Sequence, residues 1–133
     1  MENEIIDKIG LIYIKDRKIL VLRSKGKDKF FAPGGKREPG ETDEQTLIRE
    51  CKEEISIDIV PGSLKFVEKF KAEAYGKENT FVQITAYTAD FNGEIKPDSE
   101  IEELGWHDFS YMDVSTSPMK LILKYFKERD LID

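Results

Sequence analysis

GKREPGETDEQTLIRECKEEISI, residues Gly35 to Ile57, is the stretch that decides how the rest of the chain is read. Thr42 followed three residues later by Gln45 is a capping box, and Asp43 and Glu44 suit the positive end of a helix dipole. A helix is therefore predicted from Thr42 to about Ile55. At about 100° per residue, Leu47, Ile48, Cys51 and Ile55 gather on one side as a core-facing stripe. Glu50, Glu53 and Glu54, at i, i+3 and i+4, project together from roughly the opposite side. Like charges at these spacings cost about 0.2–0.5 kcal/mol each in an isolated helix, which a solvated charged face would tolerate. Three hard oxygen donors on one face are also what Mg²⁺ or Mn²⁺ takes in preference to imidazole or thiolate. Arg49, a helical step from Glu53, softens the repulsion under either reading. Ahead of the helix, Gly34-Gly35 permits close backbone approach and leaves a carbonyl to face the same ion, and Glu41 sits just before the first turn.

Outward from this segment the periodicity changes. Ile5 to Ile14 is β-branched and aromatic, Lys15-Asp16-Arg17 is a polar turn, and Lys18 to Arg23 is again apolar, which predicts a two-stranded hairpin. Pro33-Gly34-Gly35 is expected to break regular structure. Beyond Pro61-Gly62, Leu64 to Ala74 and Thr80 to Phe91 read as longer strands, and Asn92-Gly93 as a turn. A short strand is expected at Leu104 to His107. Ser117-Pro118 is read as an N-cap with proline at the first helical position, opening a helix with apolar Met119, Leu121, Ile122, Leu123, Tyr125 and Phe126. The order strands, helix, strands, helix predicts a mixed α/β (α+β) layer arrangement with one sheet between helices.

Composition narrows the function classes. A chain of 133 residues is expected to be a single domain over residues 1–133. With 39% hydrophobic residues it is too apolar for disorder and too polar for a membrane protein. No apolar run approaches the ~18 residues of a spanning helix. The acidic start Met-Glu-Asn-Glu is unlike a secretory signal, and the lone Cys51 excludes an internal disulfide and a thiolate metal site, so a cytoplasmic home is expected. The net charge of −6 disfavours nucleic-acid binding. It would repel a polyphosphate too, unless cations reverse the sign locally.

The stretch from Gly35 to Ile57 resembles the Nudix box of the Nudix hydrolase superfamily. Gly35, Glu41, Arg49, Glu50, Glu53 and Glu54 stand at the box's invariant spacing; Cys51 replaces its aliphatic and Ser56 its closing glycine. The strand and helix order agrees with the family's α/β/α sandwich, so the resemblance extends over nearly the whole chain. It implies a metal-dependent hydrolase of a phosphoanhydride bond in a nucleoside diphosphate derivative, foremost a nucleoside triphosphate pyrophosphohydrolase giving a monophosphate and pyrophosphate. ADP-ribose or another sugar nucleotide is the alternative substrate, and a catalytically silent nucleotide sensor the alternative class. Metal ligands are expected at Gly35, Glu50, Glu53 and Glu54, with Glu41 acting through water or holding the loop, and Arg49 orienting the carboxylates. The partner expected is a small nucleotide, without nucleic acid or membrane; a homodimer is left open.

Outside the box, Arg23 matches a phosphate-contacting position of the family or is a plain strand-end cation. Lys36 and Arg37 face substrate phosphates or are surface charge. Phe30 in place of the first glycine and Arg37 in place of Ser/Thr exclude a Walker loop around Gly35-Lys36. His107, the only histidine, is read as structural, and Cys51 as a buried, unreactive thiol. Phe30, Phe31, Tyr75, Phe81 and Trp106 are core by default, with one of them available to stack on a base. The acidic run before Leu104-Gly105-Trp106 is either a solvated loop or, as the resemblance implies, the source of the general base, with Glu100 favoured and Glu103 as the fallback.

Overall fold

Lys18–Ser24 (KILVLRS) is apolar on both faces, and the structure shows why. Ile19 and Val21 enter one hydrophobic core while Leu20 and Leu22 enter another. The computed structural model describes residues 4–74 and 76–133. The acidic start at Met1 to Asn3 and the aromatic Tyr75, both used in the sequence reading, lie outside the described residues.

In chain order the elements are β1 (Glu4–Leu11), β2 (Ile14–Lys15), β3 (Lys18–Ser24), β4 (Gly34–Lys36), α1 (Asp43–Ile55), β5 (Asp58–Ile59), β6 (Lys65–Glu73), β7 (Thr80–Thr88), β8 (Phe91–Asn92), β9 (Ile101–His107) and α2 (Ser117–Glu128). A short 3₁₀ helix, Phe109–Val114, precedes α2 and is not anticipated by the sequence pattern. The mixed sheet has the order β4-β1-β7-β6, with β1 and β7 parallel and the other pairs antiparallel. Beside it stand an antiparallel sheet β2-β3-β9 and the small pair β5-β8. Helix α1 closes one core with Leu47, Cys51 and Ile55, and α2 closes the other with Met119, Ile122, Leu123 and Phe126. The result is the expected mixed arrangement of helix, sheet and helix.

Three local expectations are corrected. The hairpin forms only at its tip, Ile14 against Ile19 and Lys15 against Lys18, across Asp16 and Arg17 with φ of 52° and 65°. This is the two-residue turn whose twist suits paired strands. Upstream, β1 leaves that hairpin for the middle of the mixed sheet, where Ile9 and Leu11 enter the core that α1 closes. Second, Gly34–Lys36 is a strand on β1 and not a break. At Gly34, with φ of 136°, a Cβ would lie 1.9 Å from the Ile9 carbonyl oxygen, so only glycine allows this approach. Third, Phe91-Asn92 does not prolong the preceding strand; it pairs with Asp58-Ile59.

Helix α1 begins as predicted. The Thr42 hydroxyl accepts from Gln45 N–H, and the Gln45 side chain accepts from Thr42 N–H. Its C-cap Ser56 is left-handed at φ 61° and ψ 27°, the conformation glycine serves in the box. At α2 the cap falls one residue early, on Thr116, whose hydroxyl faces Met119 N–H at 3.4 Å.

Candidate active site

Helix α1 presents its acidic face to β4. The Glu50 carboxylate fills the space beside Gly35, where a Cβ would come within 2.5 Å of its carboxyl carbon. Glycine at 35 is therefore a condition of the carboxylate's position. Arg49 organises the surrounding acids. It donates to both oxygens of Glu41, at 2.8 and 2.9 Å, and to Glu50 Oε1 at 2.7 Å. It also reaches the Lys36 carbonyl at 3.0 Å. Glu41 accepts further from Glu38 N–H and the Thr46 hydroxyl. Its carboxyl is held down to about 2, chiefly by Arg49 and then by the Glu38 N–H.

Glu54 has the opposite environment. It accepts from Gly34 N–H at 2.8 Å. Burial pushes its carboxyl up to about 8; the Gly34 N–H opposes that shift and the Glu50 charge adds to it. Glu53 stands at the solvent edge, 54% exposed, with Arg49 at 3.7 Å. Among the described residues, no three Asp, Glu, His or Cys side chains yet surround one point as ligands, because Arg49 engages Glu50 and Glu53 turns outward. The donor chemistry nevertheless fits a hard divalent cation: carboxylates and backbone oxygen, with no sulfur or imidazole.

The cluster opens onto a cleft of about 930 Å³ that runs between β1, β4 and β7 on one side and the start of α2 on the other. Glu54, Gly34 and Gly35 lie at one end, Ser115 to Pro118 at the other, and Phe31 on the wall. Among the described residues of the predicted set, Phe31 is the aromatic that reaches the cleft. Phe30 packs on His107, and Trp106 packs on Tyr13.

The remaining predicted residues divide. Lys36 is exposed on β4. Arg37 is engaged by Asp7 and Asp43, and Asp43 also accepts from the Tyr87 hydroxyl, so this arginine anchors the start of α1. Arg23 donates to Glu103 at 3.0 Å and to the Lys27 carbonyl at 2.9 Å, which occupies Glu103 as well. Glu100 is exposed in the turn before β9; that turn is tied to α1 by Asp98 N–H on the Glu54 carbonyl at 2.9 Å. His107 is stacked on Tyr111 at 4.0 Å, and Cys51 is fully buried with its thiol pushed up by burial. Sequence reasoning missed Lys8, which lines the cleft from the middle of β1. Its signal was a lysine inside the apolar run IIDKIGL.

The NUDIX domain family profile matches residues 7–127, and the chain belongs to that family. Nudix hydrolases generally use divalent metal cations. The chain is 33% identical over 105 residues to the uncharacterized Nudix hydrolase YvcI of Bacillus subtilis (strain 168), covering 78% of this chain and 65% of the relative. It is 34% identical over 92 residues to the asymmetrical bis(5'-nucleosyl)-tetraphosphatase of Sus scrofa, covering 66% and 61%. The chain thus spans under two thirds of these curated relatives' length. Among solved structures, the E. coli ORF135 protein superposes with a TM-score of 0.72 at 25% identity, covering 95% of this chain and 91% of that one. The MutT protein of Methanosarcina mazei Go1 shares the fold with a TM-score of 0.75 at 20% identity, covering 98% of each. No helix among the described residues is long and apolar enough to cross a membrane.

Proposed function

We propose that this chain is a metal-dependent hydrolase of a phosphoanhydride bond in a nucleoside diphosphate derivative, foremost a nucleoside triphosphate cleaved to monophosphate and pyrophosphate. One observation carries the reading: Glu50 and Glu54 are packed against Gly35 and Gly34 at the mouth of a nucleotide-sized cleft, on a helix face that also bears Glu53. Glu50, Glu53, Glu54 and the Gly35 carbonyl would hold Mg²⁺ or Mn²⁺. Such an ion, when bound, makes water nucleophilic near neutral pH and neutralises charge on the leaving phosphate.

The protein's own groups do the rest. Arg49 fixes Glu50 through a charge-assisted bond and fixes the loop through Glu41. With both its oxygens on Arg49, Glu41 is better placed to hold the loop than to ligate. Lys36, exposed on β4, would meet a phosphate. Arg23 and Arg37 would first have to leave Glu103, Asp7 and Asp43, so their part is to fix β3 and the start of α1. Glu100 takes the proton from the attacking water, a role for which Glu103, held by Arg23, is less available. Glu100→Gln should lower kcat about 10²–10⁴-fold with little change in KM; a variant at wild-type rate removes the assignment.

The likeness to an asymmetrical tetraphosphatase favours a second substrate class, a dinucleoside polyphosphate. The deciding experiment is a phosphate-release panel of nucleoside triphosphates, dinucleoside polyphosphates, ADP-ribose and sugar nucleotides. It is run with Mg²⁺ and with Mn²⁺, with and without inorganic pyrophosphatase. Release from triphosphates that appears only with pyrophosphatase is the expected result. Binding without release from any substrate would leave a nucleotide sensor in place of the enzyme. A cytoplasmic, single-domain protein acting on a free small nucleotide, alone or as a homodimer, completes the proposal.

A further inference from the structure

Lys8 stands in the middle of β1, in register with Lys36 of β4 on one side and Ile84 of β7 on the other. Residues opposite each other in an antiparallel pair share a face with Cβ atoms about 4.5–5.5 Å apart, so two ammonium groups placed there repel. Lys8 is also half-buried. Burial first, and then Lys36, lowers its pKa, while Glu54 and Glu50 draw it back up. The fold gains nothing visible in exchange. Among the described residues neither amine makes a salt bridge or a side-chain hydrogen bond. The next position along the same face is Gly10, which also lines the cleft; a Cβ there would lie 2.8 Å from Ile84 Cγ2, so the packing against Ile84 requires glycine. The cleft also draws lysines from elsewhere, Lys27, Lys29 and Lys120, against three lining carboxylates, in a chain whose net charge is −6.

A half-buried cation without an ion-pair partner among the described residues, lining the same cleft as Glu54, implies an anion bound there. We infer that Lys8 contacts the phosphate chain of the substrate, in the cleft that Glu54 also lines. This rests on the hydrolase reading above and adds a residue that the box does not contain. It also orients the substrate: the phosphates lie over Lys8 and Gly10, and the nucleoside extends toward Phe31 and the start of α2. The competing account is that Lys8 only balances Glu50 and Glu54.

The test is binding, measured apart from turnover. Inorganic pyrophosphate is titrated calorimetrically into wild type, Lys8→Met, Lys8→Gln and Lys8→Arg at saturating Mg²⁺. Mn²⁺ affinity is measured by electron paramagnetic resonance and the unfolding midpoint by calorimetry. Loss of a charge-assisted contact should weaken pyrophosphate binding roughly 10- to 100-fold in Lys8→Met and Lys8→Gln, with Lys8→Arg retaining most of it. Mn²⁺ affinity should hold or rise, and the Lys8→Met midpoint should hold or rise as the repulsion disappears. Pyrophosphate binding unchanged by Lys8→Met and Lys8→Gln, or absent from wild type, overturns the inference. So does Mn²⁺ affinity falling in step with pyrophosphate, which puts the loss in the metal site; Mn²⁺ affinity that rises while pyrophosphate binding is unchanged selects the charge-balancing account. A wild type that binds pyrophosphate through Lys8 yet hydrolyses nothing in the panel would sink the hydrolase reading and keep the phosphate contact.

Discussion

Helices α1 and α2 cover opposite cores with stripes of similar size, yet their other surfaces follow different rules. On α2 the start is capped by Thr116 with Pro118 in the first turn, and the free side carries ordinary exposed residues such as Lys124 and Lys127. On α1 the inner stripe of Leu47, Cys51 and Ile55 is just as closed. Its polar side, however, crowds Glu50, Glu53 and Glu54, and its end holds Ser56 in a left-handed conformation. A well-packed stripe keeps α1 in place while its other side gives up stability to concentrate negative charge. The contrast separates residues that hold the fold from residues that serve chemistry.

The division can be broken at several points. Leu123→Ala, at a fully buried α2 position, should cost about 2–5 kcal/mol in urea unfolding, while the folded fraction keeps its kcat. A kcat falling in step with stability would mean that α2 is not confined to packing. Glu53→Gln should do the reverse, lowering turnover at least about 100-fold, close to 2.7 kcal/mol of transition-state stabilisation, with an unchanged or higher urea midpoint. Normal turnover in both Glu53→Gln and Glu54→Gln would remove the basis of the metal-site proposal.

The pH response sharpens the same contrast within one helix and its leading loop. Glu54 is raised from 4.5 to about 8, so between those values the folded chain keeps a proton that the unfolded chain releases. Metal-free stability should therefore fall as pH rises through that window. Glu54→Gln should flatten the fall in melting curves taken with EDTA. Glu41, lowered to about 2, acts with the opposite sign: its contribution is present above about 4.5 and is lost as pH drops toward 2. The smallest effect belongs to Ser56. With its φ at 61°, Ser56→Gly should stabilise the chain by a few tenths to about 1 kcal/mol, read as a higher urea midpoint at constant slope. A loss of stability would show that Ser56 is at ease in that conformation.

What the sequence made legible was local. The capping box, the apolar stripe and the shared face of the three glutamates depend on residues within four positions of one another, and each stands where it was expected. The two glycines before the helix were legible as sites of close approach, but not as a strand. Their reason lies in Ile9 and Glu50, which come from elsewhere in the chain. Likewise β1 looked like half of a hairpin because its true partner, β7, is remote. Arg23 and Arg37 were legible as cations near phosphate, but not as cations already engaged by Glu103, Asp7 and Asp43. Lys8 escaped notice because only the register β4-β1-β7 brings it into the cleft.

That register has a consequence for how the molecule comes into being. Each residue of β1 pairs with one 76 positions later, from Glu4 with Thr80 to Leu11 with Tyr87. A ribosome adding about 5–20 residues per second leaves β1 without its parallel neighbour for roughly 4–15 s. Through that interval the apolar run ending at Leu11 can pair only with β4, which supplies three residues. The nascent chain therefore carries an unpaired, aggregation-prone strand until the hairpin of β6 and β7 emerges, so its yield in cells should follow translation speed and chaperone supply.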